Sequence, residues 1–431
     1  MRLAVVATIL FAALARSAPL TAQEPTDLAA LNAEAIKAYR AKDYARFLAY
    51  EKRALGMEPA NPRFIYNVAC GESLQGNARE AVRMLDQLLA RRLDLGAETD
   101  DDFSPIRQTP EWAGFESRLA ELRKPLVRSQ PAFRLADPGL VATGIAFDPR
   151  TGDTYVASAR ERKIIRRAKD GKISDFITQA QDGFLGGDSL AIDGSRRLLF
   201  ASTAAASFTV GYRKEDFGRS GVFVFDLKSG KLVRKALLPA DGKRHILNAL
   251  VVDRDGNAYV SDSSVAGIYR LRRGSDDLET FVPGNVFAAT QGLALSNDEK
   301  TLYVADYTDG IWALDLASKN RRPIAAPADV WLAGLDGLSR VKDGFIAVQI
   351  GPKPERVLRL QLDPQAQKIT SAEVLEINHP DYSGPIQGTI AGHSFLYVAN
   401  SQLSLVNEET GTFPADRARA TVVLRLPLAD R

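Results

Sequence analysis

The chain has 431 residues, 45% hydrophobic and 25% charged, with 56 Lys+Arg against 53 Asp+Glu for a net charge of +3. That length suggests more than one domain, the ordinary Gly and Pro content excludes disordered and collagen-like classes, and the small charge excess argues against a nucleic-acid partner. A single cysteine, Cys70, and three dispersed histidines exclude an internal disulfide, a Cys-based zinc site and an HExxH helix, leaving the chemistry to oxygen ligands and amides.

Met1–Ala22 opens with Arg2, runs apolar from Leu3 to Ala15 except for Thr8, and ends on the small residue Ala22. A membrane span needs about 20 apolar residues, so this shorter run with its charged start reads as a secretory signal, residues 1–22. The expected product is exported, periplasmic or secreted, with no membrane association after signal removal.

Residues 27–125 carry apolar residues at helical spacing, broken at Pro59, Pro62 and Gly76. Two segments superimpose at a shift of 34 residues, placing Lys42-Asp43-Tyr44 on Gly76-Asn77-Ala78 and Phe47 on Ala81. A helix–turn–helix period of this size resembles the tetratricopeptide repeat. Thr109 as N-cap and Pro110 at the first helical position predict a closing helix over Glu111–Leu122. Such a module either binds an extended protein or peptide partner or caps the larger domain.

After Pro131 the pattern changes to alternating short strands, which puts the domain boundary between Leu126 and Pro131. Over 131–431 one unit recurs six times: an apolar strand, an Asp/Gly turn, and a second strand such as Tyr303-Val-Ala-Asp306. The first strands open at Thr143, Asp188, Asn248, Gln291, Asp336 and Gln387, at intervals of 43 to 60 residues. That is propeller-blade spacing. The expected fold is an all-β six-bladed propeller behind a small α-helical domain, its ring closed by Ala132–Ala136 beside Thr421–Leu426. Equivalent positions in six repeats must surround one axis, so these six polar residues are expected to line a central channel.

Thr290-Gln-Gly-Leu-Ala-Leu-Ser-Asn-Asp-Glu-Lys-Thr-Leu-Tyr-Val-Ala-Asp306 and the Leu335-Asp-Gly-Leu338 turn resemble the gluconolactonase, senescence-marker-protein and strictosidine-synthase-like propellers over the whole C-terminal domain. The resemblance implies a divalent cation, commonly calcium, on the axis, held by side-chain oxygens at the starts of inner strands. Carried over by position, Asn248 and Asp336 are retained, Gln291 replaces an asparagine, and Thr143 replaces a glutamate. Asp188 could restore the charge lost at Thr143. The implied ligands are therefore Asn248, Gln291, Asp336 and Asp188, with Asp336 also catalytic. His245 and His379, in loops entering blades three and six, are candidate general bases because histidine titrates near neutrality; His393 reads as a turn residue. Asp262 and Asp306 read as turn caps. Two functions follow: a cation-assisted lactonase or esterase acting on a small-molecule lactone or ester, or a non-enzymatic exported binding or scaffold protein using its helical repeats. A metal-free condensation of the strictosidine-synthase type is a third.

Overall fold

The computed structural model describes residues 27–428, so the proposed signal, residues 1–22, lies outside the described residues. The N-terminal region is built from helices α1 (Leu28–Arg40), α2 (Tyr44–Met57), α3 (Pro62–Leu74), α4 (Ala78–Ala90) and α5 (Pro110–Leu122). Their starts follow capping chemistry. The side chains of Asp27, Asp43 and Asn61 each accept a first-turn N–H, and Thr109 accepts from Trp112 N at 3.3 Å with Pro110 behind it. Phe103 stacks on Trp112, which meets Phe115 at a tilt, in the interior of this region. No helix among the described residues is long and apolar enough to cross a membrane.

The remainder forms six four-stranded antiparallel sheets. Their inner strands are Ala142–Phe147, Gly186–Asp193, Leu247–Val252, Thr290–Leu295, Leu335–Val341 and Gly388–Ala391. Blade six takes its outer strand from Gln130–Leu135, which pairs antiparallel with Thr421–Pro427, Phe133 opposite Val423. The closure expected at Ala132–Ala136 is present and begins two residues earlier. It removes the open edges that would otherwise invite strand pairing with another chain. The second strands repeat a buried tyrosine, Tyr155, Tyr259, Tyr303 and Tyr397, which fills the space between adjacent sheets. The 60-residue interval after Asp188 reflects a long loop, residues 205–219, between strands Leu198–Ala204 and Ser220–Asp226. A second long loop, residues 399–420, interrupts blade six.

The helical region is docked on the propeller rather than tethered to it. Leu126 bridges Ile377 and Asp94 bridges Lys353, while Ile377, Trp331 and Val374 extend the helical core. Arg128 N, Ser129 N and Ser129 Oγ all donate to Glu376 Oε1, at 3.3, 3.2 and 2.7 Å.

Blades one and two are joined below the site by Arg197, whose guanidinium reaches both oxygens of the fully buried Asp148, Nη1 to Oδ1 at 2.9 Å. This pair holds the Asp148 carboxyl down at about 2. A depressed folded-state value stabilises above the unfolded value near 3.9, and the gain is lost as pH falls through about 2. Asp148→Asn is therefore expected to cost on the order of 2 kcal/mol at pH 7. In urea melts the difference from the parent should shrink between roughly pH 4 and pH 2; a pH-independent difference would assign the loss to packing instead.

Candidate functional site

Five of the six axial residues sit at irregularities of their own strands. The pairing of inner and second strands shifts register between Ala142 and Gly144, Gly187 and Ser189, Leu247 and Leu250, Thr290 and Leu293, and Leu335 and Gly337. Thr143, Asp188, Asn248, Gln291 and Asp336 are the displaced residues or lie among them. A β-bulge re-aims one side chain out of the alternating pattern, and here that residue faces the axis in blade after blade. The glycines that follow let the inner strands crowd together. A Cβ on Gly337 would lie 2.5 Å from Gln387 Cα, and one on Gly144 would lie 2.9 Å from the Asp188 carbonyl oxygen.

The result is a cavity of about 150 Å³ at the end of the ring where inner strands begin. Thr143, Asp188, Asn248, Asp336 and Gln387 contribute its polar lining. Gln291 stands behind them: its Oε1 accepts from Asn248 Nδ2, which leaves the oxygen end of Asn248 for a ligand. Thr143 Oγ1 donates to Gly187 O and is tied to its neighbouring blade. Gln387 completes the ring, its N donating to Asp336 Oδ2 at 3.2 Å and its Nε2 to Asp188 O at 3.3 Å. Ser189 Oγ reaches Gln387 Oε1 at 3.3 Å.

The two carboxylates are poorly satisfied. Asp188 Oδ2 is buried without a hydrogen-bond partner, and burial pushes its carboxyl well above the usual range despite the field of Arg244. Burial likewise raises Asp336 to about 6, opposed only by the Gln387 N–H. Charged forms are disfavoured in such a setting unless a counter-charge enters. A set of two carboxylates and amide oxygens, one oxygen orphaned, suits a hard divalent cation.

Above this floor the lining mixes the apolar Phe208, Ile246, Ile386 and Leu403 with Thr209, Arg244 and Glu408. The long loops meet there. Ser207 Oγ donates to Glu408 O at 2.5 Å, and Arg244 Nη2 pairs with Glu408 Oε2 at 2.5 Å. None of these residues emerges from the strand repeat. The 60-residue interval and the gap between Asn400 and Thr421 were the signals available for Phe208, Arg244, Ile246, Leu403 and Glu408.

The histidines are not brought to the cavity. His245 is 5% exposed, its Nδ1 2.6 Å from Asp262 Oδ2 and its Nε2 3.1 Å from Asp241 Oδ1. His379 lies over the seam with the helical region, Nδ1 accepting from Asp381 N at 3.0 Å. Asp262 and Asp306 do cap the turns expected of them: Asp262 accepts from Ser264 N at 3.0 Å, and Asp306 from Ala288 N at 2.7 Å. A separate group, Cys70, Asp100 and Asp102, lies in the helical region. Tyr66 Oη donates to Asp100 and Tyr39 Oη to Asp102, both at 2.7 Å, and burial raises the thiol far above its usual range. The two tyrosines tie this carboxylate pair into the packing of the helical region.

No protein-family model and no curated protein sequence matches the chain. Among solved structures it is similar to a luciferin-regenerating enzyme, at 14% identity and TM-score 0.49 over 71% of this chain and 96% of that one. It is also similar to a gluconolactonase from Xanthomonas campestris, at 17% identity and TM-score 0.46 over 71% of this chain and 94% of that one. A third is the PQQ-bound aldose sugar dehydrogenase from Streptomyces coelicolor, at 16% identity and TM-score 0.45 over 70% of this chain and 99% of that one. At these levels the likeness concerns the fold alone.

Proposed function

We propose that the axial cavity is the site of a cation-assisted hydrolase acting on a small lactone or ester, in a protein exported on the signal at residues 1–22. The observation that carries this reading is the orphaned, buried Asp188 Oδ2 facing the same cavity as Asp336. Asp188, Asp336 and the oxygen of Asn248 would hold the cation, calcium by the all-oxygen character of the set. When bound, such an ion polarises a carbonyl or acidifies water. Gln291 orients Asn248, and Gln387 fixes Asp336 through its backbone N–H. Without a cation, burial raises the Asp336 carboxyl to about 6, and a bound cation would hold it ionised, able to accept a hydrogen bond from attacking water. Phe208, Ile246, Ile386 and Leu403 offer apolar surface for an acyl chain or lactone ring, beside the polar Thr209, Arg244 and Glu408.

The test is a thermal melt with and without calcium, elemental analysis of protein purified without chelator, and a screen of aryl esters and lactones. Calcium should raise the melting temperature by binding only the native state, and Asp336→Asn should remove both that rise and any hydrolysis. An unchanged melt at millimolar calcium together with a metal-free protein would reject the cation site.

A further inference from the structure

A basic cavity of about 380 Å³ lies outside the axial site, between the helical region and blade five. Four arginines line it: Arg91 and Arg92 just after α4, Arg128 on the linker, and Arg356 on a strand of blade five. Two acids, Asp329 and Glu373, leave the lining with a surplus of positive charge. Arg128 pairs with Glu373 at 3.0 Å. The other hydrogen bonds are to neutral oxygens, with the Asp329 carboxylate near enough to act on Arg91. Arg356, 3% exposed, donates Nε to Gln349 Oε1 and Nη1 to Arg92 O, both at 2.6 Å. Arg91 donates Nε to Ala328 O at 3.1 Å, and its Nη1 is buried with no partner.

A guanidinium is a planar donor fork that matches carboxylate and phosphate oxygens, and a buried donor left unbonded carries a desolvation cost. Gln349 also pins the adjoining loop, its Nε2 donating to Trp331 O at 2.9 Å and Ala333 O at 2.6 Å. The floor of donors is thus fixed in advance, which lowers the ordering cost of binding. Trp331, Val330 and Val374 supply an apolar wall beside it. The size falls in the range of small-molecule sites.

We propose that this interdomain cavity binds a small organic anion, its carboxylate or phosphate group held by Arg91 and Arg356 and its apolar body against Trp331. The site shares no lining residue with the axial cavity, so it stands or falls independently of the hydrolase reading.

The experiment uses the full chain, titrated with benzoate and with inorganic phosphate against chloride at matched ionic strength. Calorimetry and thermal melting are the readouts. At least one of the two anions should bind saturably and raise the melting temperature, whereas chloride should not. Saturation with benzoate assigns a carboxylate with an apolar body; saturation with phosphate alone assigns a phosphate ester. Arg91→Met should weaken binding about tenfold or more, as expected for loss of a charge-assisted donor. Asp329→Asn removes a competing negative charge and should tighten it, which keeps the test decisive if the arginine variant fails to fold. No saturable binding of either anion up to about 10 mM, or affinities unchanged in both variants, would overturn the proposal.

Discussion

Asp188→Asn is expected to stabilise the cation-free protein while abolishing its response to calcium. Most substitutions at a ligand position destabilise or do nothing, so the direction is diagnostic. Without a cation the Asp188 carboxyl has one buried oxygen with no partner, and burial disfavours its charged form. A buried group without a partner costs about 1–3 kcal/mol when neutral and more when charged, and an amide at this position keeps only the smaller cost. Asparagine keeps the volume and removes the charge, so the melting temperature without calcium should rise by roughly 2–6 °C for a domain of this size. The same change removes one of two carboxylates from the proposed ligand set, and fewer carboxylates mean weaker calcium binding. The two melting curves should therefore cross: the variant higher in chelator, the parent higher in calcium. A variant less stable than the parent in chelator would mean that Asp188 is satisfied by contacts other than a cation.

The axial ring was legible because repetition alone places six strand starts around one axis. Its chemistry was less so. Gln291 has the residue type and register of a ligand, yet its amide is bonded to Asn248 and it stands outside the cavity lining. Only the pairing across blades reveals that. The bulges at the axial positions leave no mark in an alternating pattern, apart from the glycines at 144, 292 and 337 that tolerate the crowding. His245 illustrates a different limit. Asp262 was readable as a turn cap, and it is one, but its second oxygen also takes the histidine, so one residue's structural role removes another from the candidate site. The loops at 205–219 and 399–420 and the segment 238–246 lack the repeat, so nothing periodic predicts that Ser207 and Arg244 meet Glu408 across the cavity mouth. The change of periodicity after Leu126 marks a boundary between architectures. It does not show that the boundary segment is itself part of the packing.

Glu376→Ala should be the most destabilising single change in the seam between helices and propeller. The carboxylate is fully buried at the end of the outer strand Ile369–Ile377 of blade five. One oxygen takes three donors from Arg128 and Ser129, and the other takes Tyr397 Oη at 2.7 Å. It thus joins the linker, blade five and blade six through one side chain. Alanine would strand the Ser129 hydroxyl and two backbone N–H groups in a dry site, while Tyr397 Oη would keep only its 3.0 Å contact with Tyr382 Oη. Removing one partner of a buried charged network costs about 3–5 kcal/mol, where an exposed pair would cost little. Glu376→Gln retains an acceptor oxygen and the volume, so its loss should be smaller, on the order of 1–2 kcal/mol. Urea denaturation of the three proteins measures both. Limited proteolysis should show the Ala variant cut near residues 123–130, while Asp94, Lys353 and the contacts of Leu126 still hold the helices loosely to blade five. A propeller fragment beginning at Pro131 would lack the same donors and should melt below the full chain. If Glu376→Ala unfolds within about 1 kcal/mol of the parent, the linker contributes no stability through this carboxylate, and the seam is held by the apolar contacts of Trp331, Val374 and Ile377 and by the bridges at Asp94 and Leu126.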